Sequence, residues 1–322
     1  MRWRVKRREF VKKAGQAVAL AAITGGTGIF FHDRAPTAYT KLAFKNSDFE
    51  IAADPAFPKV VLAKNIDHAN ALRSSLDAVG GIGRFVKKGE RVVIKPNIGW
   101  DRTPEQAADT NPILVGEMAR LCLAVGAGAV IVTDVPCNEP KRTFLRSGIR
   151  EAAEKAGALV ILPDDQDFVK VDLGGKIVGE QWVLKHFLEC DRLINMPIVK
   201  HHTLSGCTSA MKNFYGILGG NRGQLHQEID QSIVDLAAFA KPTLTVIDAT
   251  RVLMRNGPTG GSLDDVSVQN CVICATDQVA GDARAIEFLS LTPDRVACIP
   301  MAERAGLGIA DYKKAGYKEI LS

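Results

Sequence analysis

The apolar residues of the chain fall into short unbroken runs separated by stretches with helical spacing. KVVLAK (59–64), RVVIKPN (91–97), AGAVIVTDVP (127–136), ALVILPDD (158–165), DRLINMPIV (191–199), TLTVIDAT (243–250) and VSVQNCVICAT (266–276) are rich in Val, Ile and Leu at consecutive positions. Runs of this kind belong to strands buried on both faces, the mark of a parallel sheet covered above and below. Between them, IDHANALRSSLDAVGG (66–81), residues 111–125, GIREAAEKAG (148–157), residues 226–239 and QVAGDARAIEFLSL (278–291) carry the spacing of helices. The alternation predicts an α/β fold: a mostly parallel, doubly wound sheet with helices on both faces. VKVDLGGKIVG (169–179) breaks the rhythm and predicts a β-hairpin insertion around Gly174 and Gly175. No internal repeat or low-complexity linker divides residues 55–322, which are expected to form one α/β domain.

The first 38 residues read differently. A basic stretch, KRREFVKKAG, precedes a mildly apolar one, QAVALAAITGGTGIFF. Paired Arg7 and Arg8, with Phe10 two places on, resemble a twin-arginine export signal, an address read by a receptor. The expected location is periplasmic or exported, with the twin-arginine export machinery as a partner and residues 39–54 as a linker. If the signal is cleaved, no stable membrane span is expected; if retained, it would anchor the protein.

Charge changes the picture only once it is located. The net charge of +5 is concentrated in residues 1–13, which hold seven Lys or Arg against Glu9. The remainder has 34 basic and 35 acidic residues, so its balance offers no electrostatic footprint for nucleic acid. A hydrophobic content of 46% is enough for a full core. The seven cysteines form no recognisable disulfide framework, and an odd number leaves at least one thiol free. Cys271 and Cys274 make a lone CxxC within a strand, where residues three apart point to opposite faces; they are expected in the core rather than on one metal.

In doubly wound sheets, ligands gather at the carboxyl ends of the strands. Four such ends carry chemistry here: Lys95 and Asn97, Asp134, Asn195 to His202, and Asp248. The richest is PIVKHHTLSGCTSAMKNFYGILGG (197–220). A strand ending near Val199 would let Lys200, His201 and His202 leave the sheet edge. Thr208 would then cap a helix bearing Lys212 and Asn213. A lysine near a helix N-terminus is opposed by the dipole, which favours a nucleophilic or Schiff-base role. Beyond it, Gly219, Gly220 and Gly223 around Arg222 form either a backbone nest with a guanidinium clamp for an anion or a C-cap and turn. His226 is expected as a metal ligand or acid/base group, and Asp282 as the cap of the helix it begins.

The segments VVIKPNIGW, LINMPIVKHHTLSGCTSAMKNFYGILGG, LTVIDATRVLMRNGPTGG and DQVAGDARAIEFL, in this order, resemble the family called domain of unknown function 362 over roughly residues 55–310. Some members of that family are fused to iron–sulfur modules; this chain lacks the cysteines for one. The spacing H-x(3)-G-x(5)-K with a later histidine is also similar to the N-terminal domain of lactate racemase and related enzymes that use a nickel-pincer nucleotide. That resemblance implies Lys212 as the covalent holder of the cofactor, His202 as acid/base and His226 as a nickel ligand. WDRTPEQAADTNP (100–112) is similar to that family's substrate-and-phosphate loop. The chain departs from it after the third strand, where Asp134 stands in place of a histidine, and it has no comparable C-terminal domain.

Together these readings predict an exported cofactor- or metal-dependent enzyme acting on a small anionic molecule by proton or hydride transfer. The cofactor would be a nickel-pincer-like nucleotide or a transition metal. His202, Lys212 and His201 would be catalytic; Lys95, Asn97, Lys212, Asn213, Gly219, Gly220 and Arg222 would bind the cofactor, and His202 and His226 a metal. The alternatives are a non-catalytic periplasmic binding protein for a small anion or metal, and an electron-transfer partner.

Overall fold

Residues 48–321 are described by the computed structural model; the twin-arginine-type segment and residues 39–47 of the expected linker lie outside them. The apolar runs become strands β1 (Val60–Lys64), β2 (Arg91–Pro96), β3 (Ala129–Val132), β4 (Leu159–Val160), β7 (Arg192–Met196), β10 (Leu244–Leu253) and β11 (Val266–Ala275). The insertion forms β5 (Phe168–Asp172) and β6 (Glu180–Leu184), an antiparallel hairpin pairing Phe168 with Leu184 and Asp172 with Glu180. Three further strands are β8 (Ile198–His202), β9 (Gly206–Thr208) and β12 (Tyr317–Leu321). The main sheet has the order β12-β1-β11-β10-β7-β2-β3-β4, with β8 paired to β10 and β9. The β10-β7-β2-β3-β4 block is parallel throughout, whereas β11 runs antiparallel to both β1 and β10.

Because side chains alternate along a strand, each apolar run feeds two cores. Val92, Ile94, Val130, Val132 and Val246 point to one face, where they meet helices α1 (His68–Ala78), α3 (Pro112–Ala124), α4 (Pro140–Arg146) and α5 (Ile149–Lys155). Between α1 and α3 lies the single turn α2 (Ile82–Phe85), whose Phe85 joins that core. Val93, Ile131 and Leu193 point the other way, onto α6 (Ile229–Phe239), α7 (Gln278–Ala285) and α8 (Cys298–Arg304). Cys271 and Cys274 obey the same rule: both are buried in β11, in different clusters on opposite faces. All seven cysteines are free.

The hairpin is tied to the domain through Asp235 of α6, whose carboxylate accepts hydrogen bonds from Ile177 N (2.7 Å) and Val178 N (3.0 Å). Gly175 is required there, since a Cβ would sit 2.6 Å from that carboxylate. Among the described residues, no helix is long and apolar enough to cross a membrane.

Candidate active site

Strand β8 continues three residues past Val199 and folds back on β9, pairing Lys200 with Thr208, His201 with Cys207 and His202 with Gly206. A hairpin thus replaces the expected strand-to-helix turn, and the strand alternation sorts the cationic run Lys200-His201-His202. Lys200 and His202 face a pocket of about 380 Å³, which His201 does not line. The Nδ1 of His201 instead accepts a hydrogen bond from Gly257 N (3.2 Å) in the 256–261 loop. Of the predicted catalytic residues, His201 is therefore the one that the structure does not bring to the pocket.

After β9 the chain turns into a 3₁₀ helix, Met211–Ile217, begun without Thr208 as its cap. Its first N–H groups are met from across the domain: Asp282 accepts from Ala210 N (2.6 Å) and Met211 N (3.0 Å). Asp282 was expected to cap its own helix; that task falls to Asp277, which accepts from Val279 N and Ala280 N. In a 3₁₀ helix, residues three apart lie above one another. Lys212 and Tyr215 are so placed, with the Lys212 ammonium 4.7 Å from the centre of the Tyr215 ring. His226, in the 3₁₀ helix Arg222–Glu228 that precedes α6, packs against the same ring at 5.0 Å, tilted by 59°, and its ring lies 6.2 Å from that of His202 with the two planes inclined by 19°. The sequence-predicted imidazoles and amine therefore meet in one cavity.

Their protonation follows from burial. His202 is pulled down to about 3, first by burial and then by the charges of Lys212 and His226. Its Nδ1 accepts from Leu204 N (3.2 Å) and Ser205 N (3.3 Å), so the hydrogen-bond network assigns the proton of the neutral ring to Nε2. In that tautomer the Nε2–H of His202 is a donor, and His202 lines the pocket; a proton-abstracting base or an Nε2 metal ligand would need the lone pair that the proton covers. His226 is also lowered by burial and by Lys212, while the carbonyls of Gly223 and Arg222 favour its protonated form. Lys212 is lowered to about 8, mainly by burial and then by the charge of Lys200. Among the described residues its ammonium has no carboxylate partner and no hydrogen bond, only the Tyr215 ring.

The other predicted cations are committed. Lys95 is fully buried and ion-paired to Asp134 at 2.7 Å, outside the pocket lining. Gly216 passes directly over that pair: a Cβ there would lie 2.1 Å from Asp134 Oδ1 and 2.6 Å from Lys95 Nζ. Arg222 lines the pocket but spends its guanidinium on the carbonyls of Tyr215 (2.9 Å), Leu218 (3.2 Å) and Pro136 (3.0 Å). These bonds tie the chain together at the edge of the pocket while leaving the positive charge beside it. Gly219 and Gly220 lie outside the lining, against Phe168 and Trp182 respectively, and so answer to the turn reading. Asn97 and Asn213 do line it, joined by a hydrogen bond of 2.9 Å.

Two participants were missed from the sequence as site residues. Lys200 lines the pocket although only 1% exposed, and its Nζ donates to Asn97 Oδ1 (2.9 Å) and to the carbonyl of Ala108. Asp109 is buried behind it and pushed up to about 7 by burial, against the charge of Lys200. Its Oδ1 accepts from Gly99 N and Trp100 N, shaping the loop after β2, and its Oδ2 has no hydrogen-bond partner. Period-two alternation on the strand carrying Lys200 was the signal available for the first; nothing local marked the second.

The donor set does not fit a resident divalent metal. Among the described residues no three His, Cys, Asp or Glu side chains are grouped to hold one. Lys200, Lys212 and Arg222 line the pocket against one carboxylate, Asp134, which Lys95 already engages. That lining suits an anion. A larger cavity of about 770 Å³, between residues 50–59 and 306–316, contains none of the predicted site residues.

A thylakoid-associated protein of Synechocystis sp. is 27% identical over 251 residues, covering 74% of each chain. The lactate racemase apoprotein of Thermoanaerobacterium thermosaccharolyticum is similar in structure over 74% of this chain, with a TM-score of 0.44 and 12% identity. A protein of Thermotoga maritima matches the same share with a TM-score of 0.38 and 11% identity. This chain spans 58% of the length of each of those two structures. The model of the family described as domain of unknown function (DUF362) matches residues 92–287, well over half of the sequence, and the chain belongs to that family.

Proposed function

We propose that the pocket is the active site of an enzyme acting on a small anionic carbonyl compound, with Lys212 as the amine that captures the carbonyl. The observation that carries this reading is the contrast among the lysines: Lys95 is ion-paired and Lys200 is hydrogen-bonded, while Lys212 has only an aromatic ring beside its ammonium. An amine lowered to about 8 presents about a tenth of its molecules as the free base at pH 7, far more than an ordinary lysine, and nucleophilic attack requires that form.

In the proposed reaction the Lys212 nitrogen bonds to the carbonyl carbon, and the carbonyl oxygen departs as water. The resulting iminium draws electrons from the neighbouring carbon, so a proton there can be removed and returned. His226 exchanges that proton; His202, through its Nε2–H, hydrogen-bonds the departing oxygen or the carboxylate. The expected proton exchange therefore moves from His202 to His226. The sequence pattern at Arg7 and Arg8 supports placing this enzyme outside the cytoplasm.

Borohydride reduction in the presence of pyruvate or 2-oxoglutarate tests the reading. A mass gain equal to the reduced adduct, mapped to Lys212 and absent from Lys212→Met, is expected. No adduct with either acid defeats the covalent mechanism. The cationic lining favours one rival, a binding protein for small anions; it predicts thermal stabilisation by the same acids that survives Lys212→Met with no adduct.

A further inference from the structure

Lys200 is held in a way that neither Lys95 nor Lys212 is. A lysine ammonium has three N–H donors. Two of those on Lys200 are taken by Asn97 Oδ1 and the Ala108 carbonyl, and the third has no partner among the described residues. No carboxylate lies within ion-pair distance of it; Asp109 is close enough to be felt electrostatically but makes no contact. Gly99 borders the ammonium, with a Cβ there falling 4.0 Å from Nζ, and both residues line the pocket.

The orientation of Asn97 is dictated from the far end of a chain of amides. Asn195 Nδ2 donates to the Ala210 carbonyl (2.9 Å), which can only accept. Asn195 Oδ1 must then accept from Asn213 Nδ2 (2.8 Å), and Asn213 Oδ1 from Asn97 Nδ2 (2.9 Å). This turns Asn97 Oδ1 toward Lys200, whose ammonium can only donate. Both ends of the relay demand the same polarity. Asn195 and Asn213 are 0% and 1% exposed, so the relay is built into the protein interior.

We propose that Lys200 binds the carboxylate of the substrate through its remaining N–H, positioned by the Asn195–Asn213–Asn97 relay, so that the pocket selects carbonyl compounds that carry a carboxylate. This deepens the proposed function and rests on it for the identity of the carbonyl. The division of labour is one committed, immobile cation for recognition and one uncommitted amine for chemistry, in a single pocket. Fixing the ammonium in advance removes the ordering cost that an unheld lysine would meet on binding.

Borohydride trapping on the full chain with pyruvate and with acetone, the same methyl ketone with and without a carboxylate, tests the assignment. Lys200→Met is expected to raise the half-saturating concentration of pyruvate by roughly 10- to 100-fold more than that of acetone, the loss of one charged hydrogen bond, since any change in the Lys212 amine is shared by both ketones and cancels in the ratio. Gly99→Ala, which covers the ammonium at ordinary contact distance, is expected to weaken pyruvate in the same sense and spare acetone. A pyruvate value unchanged in Lys200→Met, or pyruvate and acetone moving together, overturns the proposal. If the wild-type protein yields no adduct, the covalent reading has failed and Lys200 is judged by thermal shift with pyruvate instead. Stabilisation of the wild type that disappears in Lys200→Met then supports the assignment, while equal shifts, or none in the wild type, overturn it.

Discussion

His202 and His226 stand 6.2 Å apart with ring planes inclined by only 19°, yet their hydrogen bonds assign them different work. The backbone N–H groups of Leu204 and Ser205 occupy the His202 Nδ1 lone pair, leaving its proton on Nε2. Nitrogen NMR of the ring is expected to show the Nε2–H tautomer with no titration of His202 between about pH 5 and 8, as a value near 3 requires. A ring that protonates within that range, or that carries its proton on Nδ1, contradicts the assignment. Zinc or nickel added to the protein is likewise expected to be lost to a chelator on dialysis.

The amine of Lys212 supplies a pH prediction. Its folded value of about 8 lies below the usual lysine value, so the reactive free base increases about tenfold per pH unit below 8 and levels off above. Adduct formation with acetone, which needs no charge on Lys200, is expected to follow that curve when measured against pH. Since Lys200 is the leading charge that lowers Lys212, Lys200→Met is expected to displace the curve to higher pH. A profile still rising at pH 10 in the wild type would remove the case for a depressed amine.

Gly216 cannot be replaced without cost. Alanine there would drive a Cβ to 2.1 Å from Asp134 Oδ1 and 2.6 Å from Lys95 Nζ, both buried and bonded. Overpacking of this kind is expected to lower stability by about 3 kcal/mol, read by urea denaturation. A loss under about 0.5 kcal/mol would mean that the loop slides aside.

The Lys95–Asp134 pair beneath it is expected to act as a strut. Asp134 also accepts from Ile98 N (2.6 Å), so Asp134→Asn leaves Lys95 buried without its counter-charge. The expected loss is about 3–5 kcal/mol. The double variant Lys95→Met, Asp134→Leu is expected to be more stable than Asp134→Asn, because it buries no unpaired charge. Equal stability of the two would show that the charge is relieved by solvent.

The strands were legible because burial on both faces leaves a continuous apolar signature, as in RVVI of β2 and AVIV of β3. The meeting of His202, Lys212 and His226 was legible because topology brings strand ends to one edge. Lys200 was expected to leave the sheet edge with the histidines but was given no role, because only the strand pairing of β8 with β9 sorts which of the three face the pocket, Lys200 and His202. The true partners of Asp282 lie 71 and 72 residues earlier in the chain, and a capping rule that looks three residues ahead has no means of finding them. Arg222 looked like an anion clamp because the sequence shows its charge and hides the three carbonyls that occupy its N–H groups.

That Asp282 bond reaches beyond local architecture. One carboxylate on a helix that packs beside the 3₁₀ turn fastens the two residues immediately before Lys212. Whatever loosens this joint alters the aim of the amine while touching nothing in the cavity, so an inactive variant remote from the pocket is the natural first place to look for a broken hinge rather than a lost catalyst.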